Sequence, residues 1–341
     1  MKKKIQRIAV LFLIPFFFYM GTKIYLDKFW SRKSKTLPYE QVQIFLKKGS
    51  SLSSFAQDLE DKGLISSSNL FYFWLRLHKN TYEHFIAGNY RFVSKVSPQE
   101  IVSTITQGKT YNPIVLEFTI PEGASFHQII TSLIQMEAGT EEEFLTQAQD
   151  EDWLEMLKIK GVEGFLYPAK YVFYLNKPSA RDILEKPIHE FFNRIPSNYK
   201  KLLEDASLTL EDWVNFASLI EKETAIDEER TLVSEVIWRR LRMGMPLGID
   251  AALIYGIKDY DGNIRTHHLK DKKNLYNTRL HRGLPPTPIG SPSLKSLLAV
   301  FHPTNLGYLY YVRIPGPEKK HHFSKNIREH NLYVRKLVKA R

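Results

Sequence analysis

The chain has 341 residues, 43% hydrophobic and 25% charged, enough for two or three domains with their own cores and incompatible with wholesale disorder. It contains no cysteine, which excludes disulfide stapling and thiol chemistry. A net charge of +11 would point to nucleic acid, but the charge sits at the two ends. Residues 1–36 carry nine basic side chains against one acid, Asp27, and the last 24 residues, from Glu318, carry eight against two. Without those ends the body from Leu37 to Pro317 stands at −3, which argues against a nucleic-acid partner.

The basic start Lys2–Arg7 precedes an uncharged run from Ile8 to Thr22, which Ile24, Tyr25 and Leu26 extend past Lys23. As a helix, 8–26 is about 28 Å long, close to a hydrocarbon core. The expectation is a single N-terminal transmembrane helix over 8–26, a cytoplasmic tip over 1–7 and a linker over 27–38. Basic flanks stay inside, so the body is extracytoplasmic and the protein is single-pass in the cytoplasmic (inner) membrane. A cleaved signal peptide is the rival, but Phe18-Tyr19-Met20-Gly21-Thr22 offers no small-x-small cleavage site.

Beyond the linker a weak repeat appears. Gly49 is followed by Leu52, Phe55, Ala56 and Leu59, and Gly123 by Phe126, Ile129, Ile130 and Leu133, at the same offsets. Each copy follows a strand-like run, Val42–Leu46 or Val115–Ile120, giving a strand, a turn and an amphipathic helix. Similar patterning also arises without shared origin. Ala87–Phe92 reads as a turn into a strand, and Ser97-Pro98-Gln99-Glu100 opens a helix with Ser as N-cap and Pro at N1. Residues 39–112 therefore form a small α+β module. A connecting α+β region, 113–206, contains helices around the aromatic turn Gly161–Pro168.

The most informative helix follows, at the start of a core spanning 207–341. Thr209 and Asp212 make a capping box, and Trp213, Phe216, Ala217, Ile220 and Thr224 recur at helical spacing. At about 100° per residue, Glu221 and Glu223 lie at opposite edges of that stripe and Lys222 faces away. A carboxyl desolvated at such an edge holds its proton to higher pH, as a general acid requires. A glutamate there equally keeps its head in water or pairs with an arginine, and spacing alone does not decide. Phosphate loops, a Gly-x-Ser-x-Gly elbow and His-Glu-x-x-His are absent. The pairs His267-His268 and His321-His322 point in different directions on any regular element, so no metal site and no cofactor are expected. The loop Gly283–Pro292 suits a groove wall and an inert loop equally. Tyr308–Ile314 reads as a late strand, and Tyr276-Asn277-Thr278 are polar residues with no evident structural duty.

Taken together, Ala217–Ala225 (with Glu221-Lys222-Glu223-Thr224), Glu229-Arg230, Val236–Leu241, Gly244–Leu247, Asp250, Ile254-Tyr255-Gly256, Tyr276-Asn277-Thr278, Gly283–Ile289, His302-Pro303, His322-Phe323-Ser324 and Glu329-His330-Asn331 resemble the YceG-like (MltG) endolytic murein transglycosylases, and the likeness runs from the anchor nearly to the C-terminus. It implies an α+β fold with a small LysM-like module before a larger YceG-like catalytic domain. The implied enzyme is a lytic transglycosylase, a lyase that cleaves the MurNAc-GlcNAc β-1,4 bond of peptidoglycan glycan strands without water, leaves 1,6-anhydro ends and terminates nascent strands. Peptidoglycan synthases are the partners such an enzyme would meet. Glu221, first of the Glu-Lys-Glu-Thr motif, is the implied catalytic acid and then base. Glu223, Asp250, Tyr276, Asn277 and Thr278 are implied substrate-groove residues, with pairing of Glu223 to Arg230 or Arg239 as its structural alternative. Where the family has Leu-Gln-Ser/Thr-Asp-Pro-Thr this chain has Leu247-Gly248-Ile249-Asp250-Ala251-Ala252, a loss of polar groups that bears on sugar recognition. The competing class is a wall-binding scaffold without turnover.

Overall fold

The computed structural model describes residues 19–34, 41–77, 84–93, 95–316 and 319–339. They divide into two compact units, one up to Pro113 and the other from Ile114. Most of the expected membrane helix, residues 8–18, lies outside the described residues; residues 19–31 are helical. Among the described residues no helix is long and apolar enough to cross a membrane. The expected polar linker is not one throughout. Phe29 joins the core of the first unit and Trp30 stacks on Trp74 at 3.4 Å, because two aromatic rings gain more from burial than their basic neighbours lose.

In the first unit, β1 (Gln41–Leu46) pairs antiparallel with β2 (Gly88–Val93), with Ile44 opposite Tyr90. Between them lie α1 (Leu52–Asp61) and α2 (Ser68–Leu77), and α3 (Pro98–Thr106) follows. Period-2 alternation on β1 turns Ile44 and Leu46 inward. They meet Phe55 and Leu59 of α1, Phe71 and Leu75 of α2, and Ile101 and Ile105 of α3. Helix α3 begins as its sequence requires, with Pro98 at N1 and a capping box between Ser97 and Glu100.

The second unit opens with the second copy of the repeat. Strand β3 (Ile114–Thr119) leads through Gly123, at φ +73°, into α4 (Phe126–Gln135), capped by Ser125 as α1 is by Ser51. Then come α5 (Glu141–Ala148), α6 (Glu151–Leu157), β4 (Lys170–Tyr174), α7 (Ala180–Arg194) and α8 (Tyr199–Ala206), with β4 antiparallel to β3. Next are α9 (Leu210–Glu223), α10 (Asp227–Arg242), α11 (Asp250–Tyr255), α12 (Thr266–Lys270) and α13 (Leu294–Phe301). The hairpin β5 (Tyr310–Arg313) and β6 (His321–Ser324) and helix α14 (Ile327–Lys339) close the unit. One core runs from Leu116 through Ile183 and Trp213 to Phe323, so residues 114–206 share their core with 207–339 and are not a separate connecting body.

Candidate active site

Helix α9 starts at the expected capping box, Thr209 Oγ1 accepting from the Asp212 N–H at 3.1 Å. Every residue from Trp213 to Ile220 is buried. The helix threads the core rather than lying on it, and the one-sided stripe inferred from spacing is part of a belt buried all round. Buried polar groups there need partners, and apart from Asn215 Oδ1, which has none, they find them mainly in one segment. Asn215 Nδ2 donates to the Pro285 carbonyl at 2.6 Å, Ser218 Oγ accepts from the Ile289 N–H at 3.1 Å, and Trp213 Nε1 donates to the Leu297 carbonyl at 2.8 Å. These bonds pin the proline loop and the start of α13 to α9.

Glu221 continues that row of pins. Its Oε2 accepts from the N–H and Oγ of Ser293, the N-cap of α13, at 2.8 and 2.5 Å, and its Oε1 accepts from Arg230 Nη1 at 3.0 Å. The Glu221 and Arg230 side chains are each 5% exposed. Arg230 also reaches Ser296 Oγ at 2.5 Å and Asp227 at 3.2 Å. Three donors thus converge on the Glu221 carboxyl and tie the end of α9 to α10 and α13.

Glu223, two residues on at the end of α9, meets different surroundings. Burial raises its carboxyl above the usual range, and the charge of Asp250 adds to the rise. Three groups oppose it: Tyr311 of β5, whose hydroxyl donates to Glu223 Oε2 at 2.8 Å, His321 of β6 and Arg240 of α10. The alternative pairing of Glu223 with Arg230 does not form, because Arg230 is taken by Glu221. The buried Nε of Arg239 has no hydrogen-bond partner.

The expected groove residues separate. Asp250 opens α11, is half exposed and accepts from Arg279 at 2.6 and 3.0 Å. Tyr276 is partly buried, lies 4.9 Å from the Tyr255 ring and shares a 2.8 Å hydrogen bond with Thr287. Asn277 and Thr278 are fully buried and committed. Asn277 Nδ2 serves the carbonyls of His268, Leu269 and Asp271, and Thr278 Oγ1 accepts from the Ile249 N–H and donates to its carbonyl. Both therefore have the structural duty that the sequence did not reveal, and neither is free to bind a sugar. Ile249, the partner of Thr278, lies in the core.

A carboxyl that sequence reasoning passed over is Glu163, in the turn Gly161–Pro168. It accepts from the Phe126 N–H at 3.0 and 3.2 Å and from the Tyr255 hydroxyl at 2.8 Å. Burial pushes its pKa up to about 6, against lowering by those donors, the Gly164 backbone and Lys222. Its only sequence signal was its place in a turn whose role was unassigned. Glu163 lines a cleft of about 330 Å³ with Asn215 and Pro285–Pro288, while Lys222, Glu122 and Gly123 line another of about 430 Å³. Neither cleft is lined by Glu221 or Glu223. Among the described residues no cluster of three His, Asp or Glu side chains is placed to hold a metal ion. His321 and His322 diverge, His321 bonding Glu229 and His322 stacking on Tyr333, whereas the rings of His267 and His268 lie 4.0 Å apart, against the expectation that both pairs diverge.

Comparison with known proteins gives a consistent set. The profile of the YceG-like family matches residues 44–336. The endolytic murein transglycosylase of Streptococcus pneumoniae D39 is 28% identical over 95% of this chain, and that of Bacillus subtilis 168 is 27% identical over 88% of this chain and 86% of its own length. The chain spans only 63% of the length of the pneumococcal relative. The crystal structure of a YceG-like protein from Listeria monocytogenes, 26% identical, superposes with a TM-score of 0.57 over 86% of this chain and 98% of its own.

Proposed function

This chain belongs to the YceG-like family, and we propose that it is an endolytic lytic transglycosylase of peptidoglycan glycan strands in which Glu223, rather than Glu221, transfers the proton. The observation that supports this most is the pair Glu223–Tyr311: a carboxyl whose proton affinity burial raises, held by the Tyr311 hydroxyl rather than by an arginine as Glu221 is. In the proposed reaction Glu223 gives its proton to O4 as the MurNAc C1–O4 bond breaks. The C6 hydroxyl oxygen of the same sugar bonds to C1, and its proton returns to Glu223. One carboxyl thus serves as acid and then base, with neither the water nor the second carboxyl of a hydrolase. Attack within one sugar ring also lowers the barrier by proximity. Asp250 and Tyr276 are the proposed sugar contacts; Asn277 and Thr278 hold the wall behind them.

Purified peptidoglycan tests the reading. Products should carry 1,6-anhydro ends, about 18 mass units lighter than hydrolytic ends, and Glu223→Gln should cut turnover by about 10²–10⁴-fold while binding persists. Reducing ends, or full activity in Glu223→Gln, would overturn it. Binding without any turnover in the unmutated chain would favour the scaffold.

Anchoring is part of the proposal. The basic Lys2–Arg7 before an uncharged run supports a single-pass anchor in the cytoplasmic membrane with the body outside, where synthases extending the strands would be its neighbours. The first unit is proposed as a LysM-like glycan-binding module. A reporter fused after Arg341 that is active only in the cytosol would sink the topology.

A further inference from the structure

Tyr311 has a second neighbour besides Glu223. On the β5–β6 hairpin Tyr311 pairs with Phe323 and Arg313 with His321, so Tyr311, His321 and Phe323 share one face of the ribbon. The Tyr311 ring meets the His321 ring edge to face at 5.5 Å and lies 5.8 Å from Phe323. His321 is held from the opposite direction by Glu229, in the first turn of α10. Glu229 Oε1 accepts from the His321 backbone N–H, and Oε2 lies 2.7 Å from His321 Nδ1, with both side chains 8% exposed. The same Oε2 accepts from Thr224 Oγ1 at 3.0 Å, and Thr224 directly follows Glu223.

Glu229 is thus bonded both to the C-cap residue of α9 and to the imidazole facing Tyr311. Such a carboxylate fixes the ring's orientation and commits Nδ1 as donor. Nothing in the proposed reaction yet uses this pair. We propose that Glu229–His321 is a positioning pair for the reaction: it seats Tyr311 against the Glu223 carboxyl and supplies the positive charge that lets that carboxyl release its proton to the leaving oxygen.

This rests on Glu223 being the proton-transfer group. A carboxyl that must both give and regain a proton needs a balanced environment, and here burial and Asp250 of α11 favour the neutral form. Arg240 of α10, Tyr311 of β5 and His321 of β6 favour the anion. Of the two cations, Arg240 is also occupied by the carbonyls of Leu247 and Leu309, at 2.5 and 2.8 Å, which bear on loop geometry. His321, with Glu229 as its counter-ion and Arg313 opposite it on the hairpin, can be altered without releasing those loops. No proton passes through His321; the balance of bonds and protons is that of the transglycosylation itself.

The test is the pH profile of anhydro-product formation by the full chain. The first step needs protonated Glu223, so kcat/KM should fall on the alkaline side as that carboxyl ionises. His321→Gln keeps a hydrogen-bonding side chain for Glu229 but can never be cationic. It should move the alkaline limb upward by about half a unit to one unit, the size expected for losing one partly neutralised charge at this range. A uniform fall in rate with the limb unmoved would assign His321 a structural role and overturn the proposal, as would an unchanged profile. His321→Asn serves if the glutamine variant does not fold. If neither folds, the ¹³C signal of the Glu223 carboxyl in the unmutated chain decides: titration coupled to the His321 ring supports the proposal and uncoupled titration overturns it. Glu223→Gln measured alongside separates the two ideas. Its full activity would remove the parent reading, whereas an inactive Glu223→Gln with an unmoved limb in the His321 variant would remove only this one.

Discussion

Glu221 and Glu223 leave the same helix end one lysine apart and meet opposite surroundings. Glu221 is the counter-ion of a buried arginine, and removing one member of a buried pair leaves the other charge uncompensated. Glu221→Gln should therefore destabilise the fold by about 3 kcal/mol, read by urea unfolding, and any activity lost should follow the folded fraction. Glu163 makes a different prediction. Its folded pKa, about 6, lies above its ordinary 4.5, so the native state binds the proton more tightly than the unfolded chain does. The resulting stabilisation is present below pH 4.5 and is lost as pH rises through about 6, leaving the ionised group about 2 kcal/mol worse off at pH 7. Replacing it by Gln removes that dependence. The stability of Glu163→Gln relative to the unmutated chain should improve by about 2 kcal/mol between pH 4.5 and pH 7, and a flat difference would contradict the shifted carboxyl.

At the scale of elements, the turn Gly161–Pro168 meets the proline loop where side chains press on the bare backbone of Gly164. A Cβ on Gly164, at φ +84°, would lie 2.6 Å from Pro288 and 2.7 Å from Val214. Gly164→Ala thus meets both the left-handed penalty and an overpacked wall, and should cost at least about 2 kcal/mol, measured as a lowered unfolding midpoint with the shape of the far-ultraviolet spectrum kept. The capped helices were legible in the sequence for local reasons: Ser97-Pro98-Gln99-Glu100 and Thr209-x-x-Asp212 carry their own hydrogen bonds, and the two copies of the repeat have the same glycine, cap and apolar offsets. The site was legible only to the level of which helix carries it. Periodicity put both glutamates at edges of α9, but the difference between them comes from Arg230, Ser293 and Tyr311, the last two lying roughly seventy to ninety residues away. Asn277 and Thr278 misled for a related reason: their partners, the carbonyls at the end of α12 and the backbone of Ile249, are brought to them by turns that no periodic pattern announces.

At the scale of the whole molecule, the charge at the two ends and the two cores describe separable jobs. The apolar side chains of the first unit, from Phe29 to Ile105, form one cluster, and those from Leu116 to Phe323 form another. Each sheet, β1–β2, β3–β4 and β5–β6, is completed within its own unit. Glu221, Glu223, Asp250, Tyr276, Tyr311 and His321 all belong to the second unit. A chain starting at Ile114 should therefore unfold in a single cooperative transition, since its core lacks nothing that the first unit supplies. It should cleave short soluble glycan fragments at close to the full chain's rate, while sedimenting with insoluble peptidoglycan much less than a chain that keeps residues 41–106. Loss of short-fragment cleavage in a truncated chain that still unfolds cooperatively would mean that the first unit helps to build the site, and equal sedimentation of the two chains would deny it the glycan-binding role.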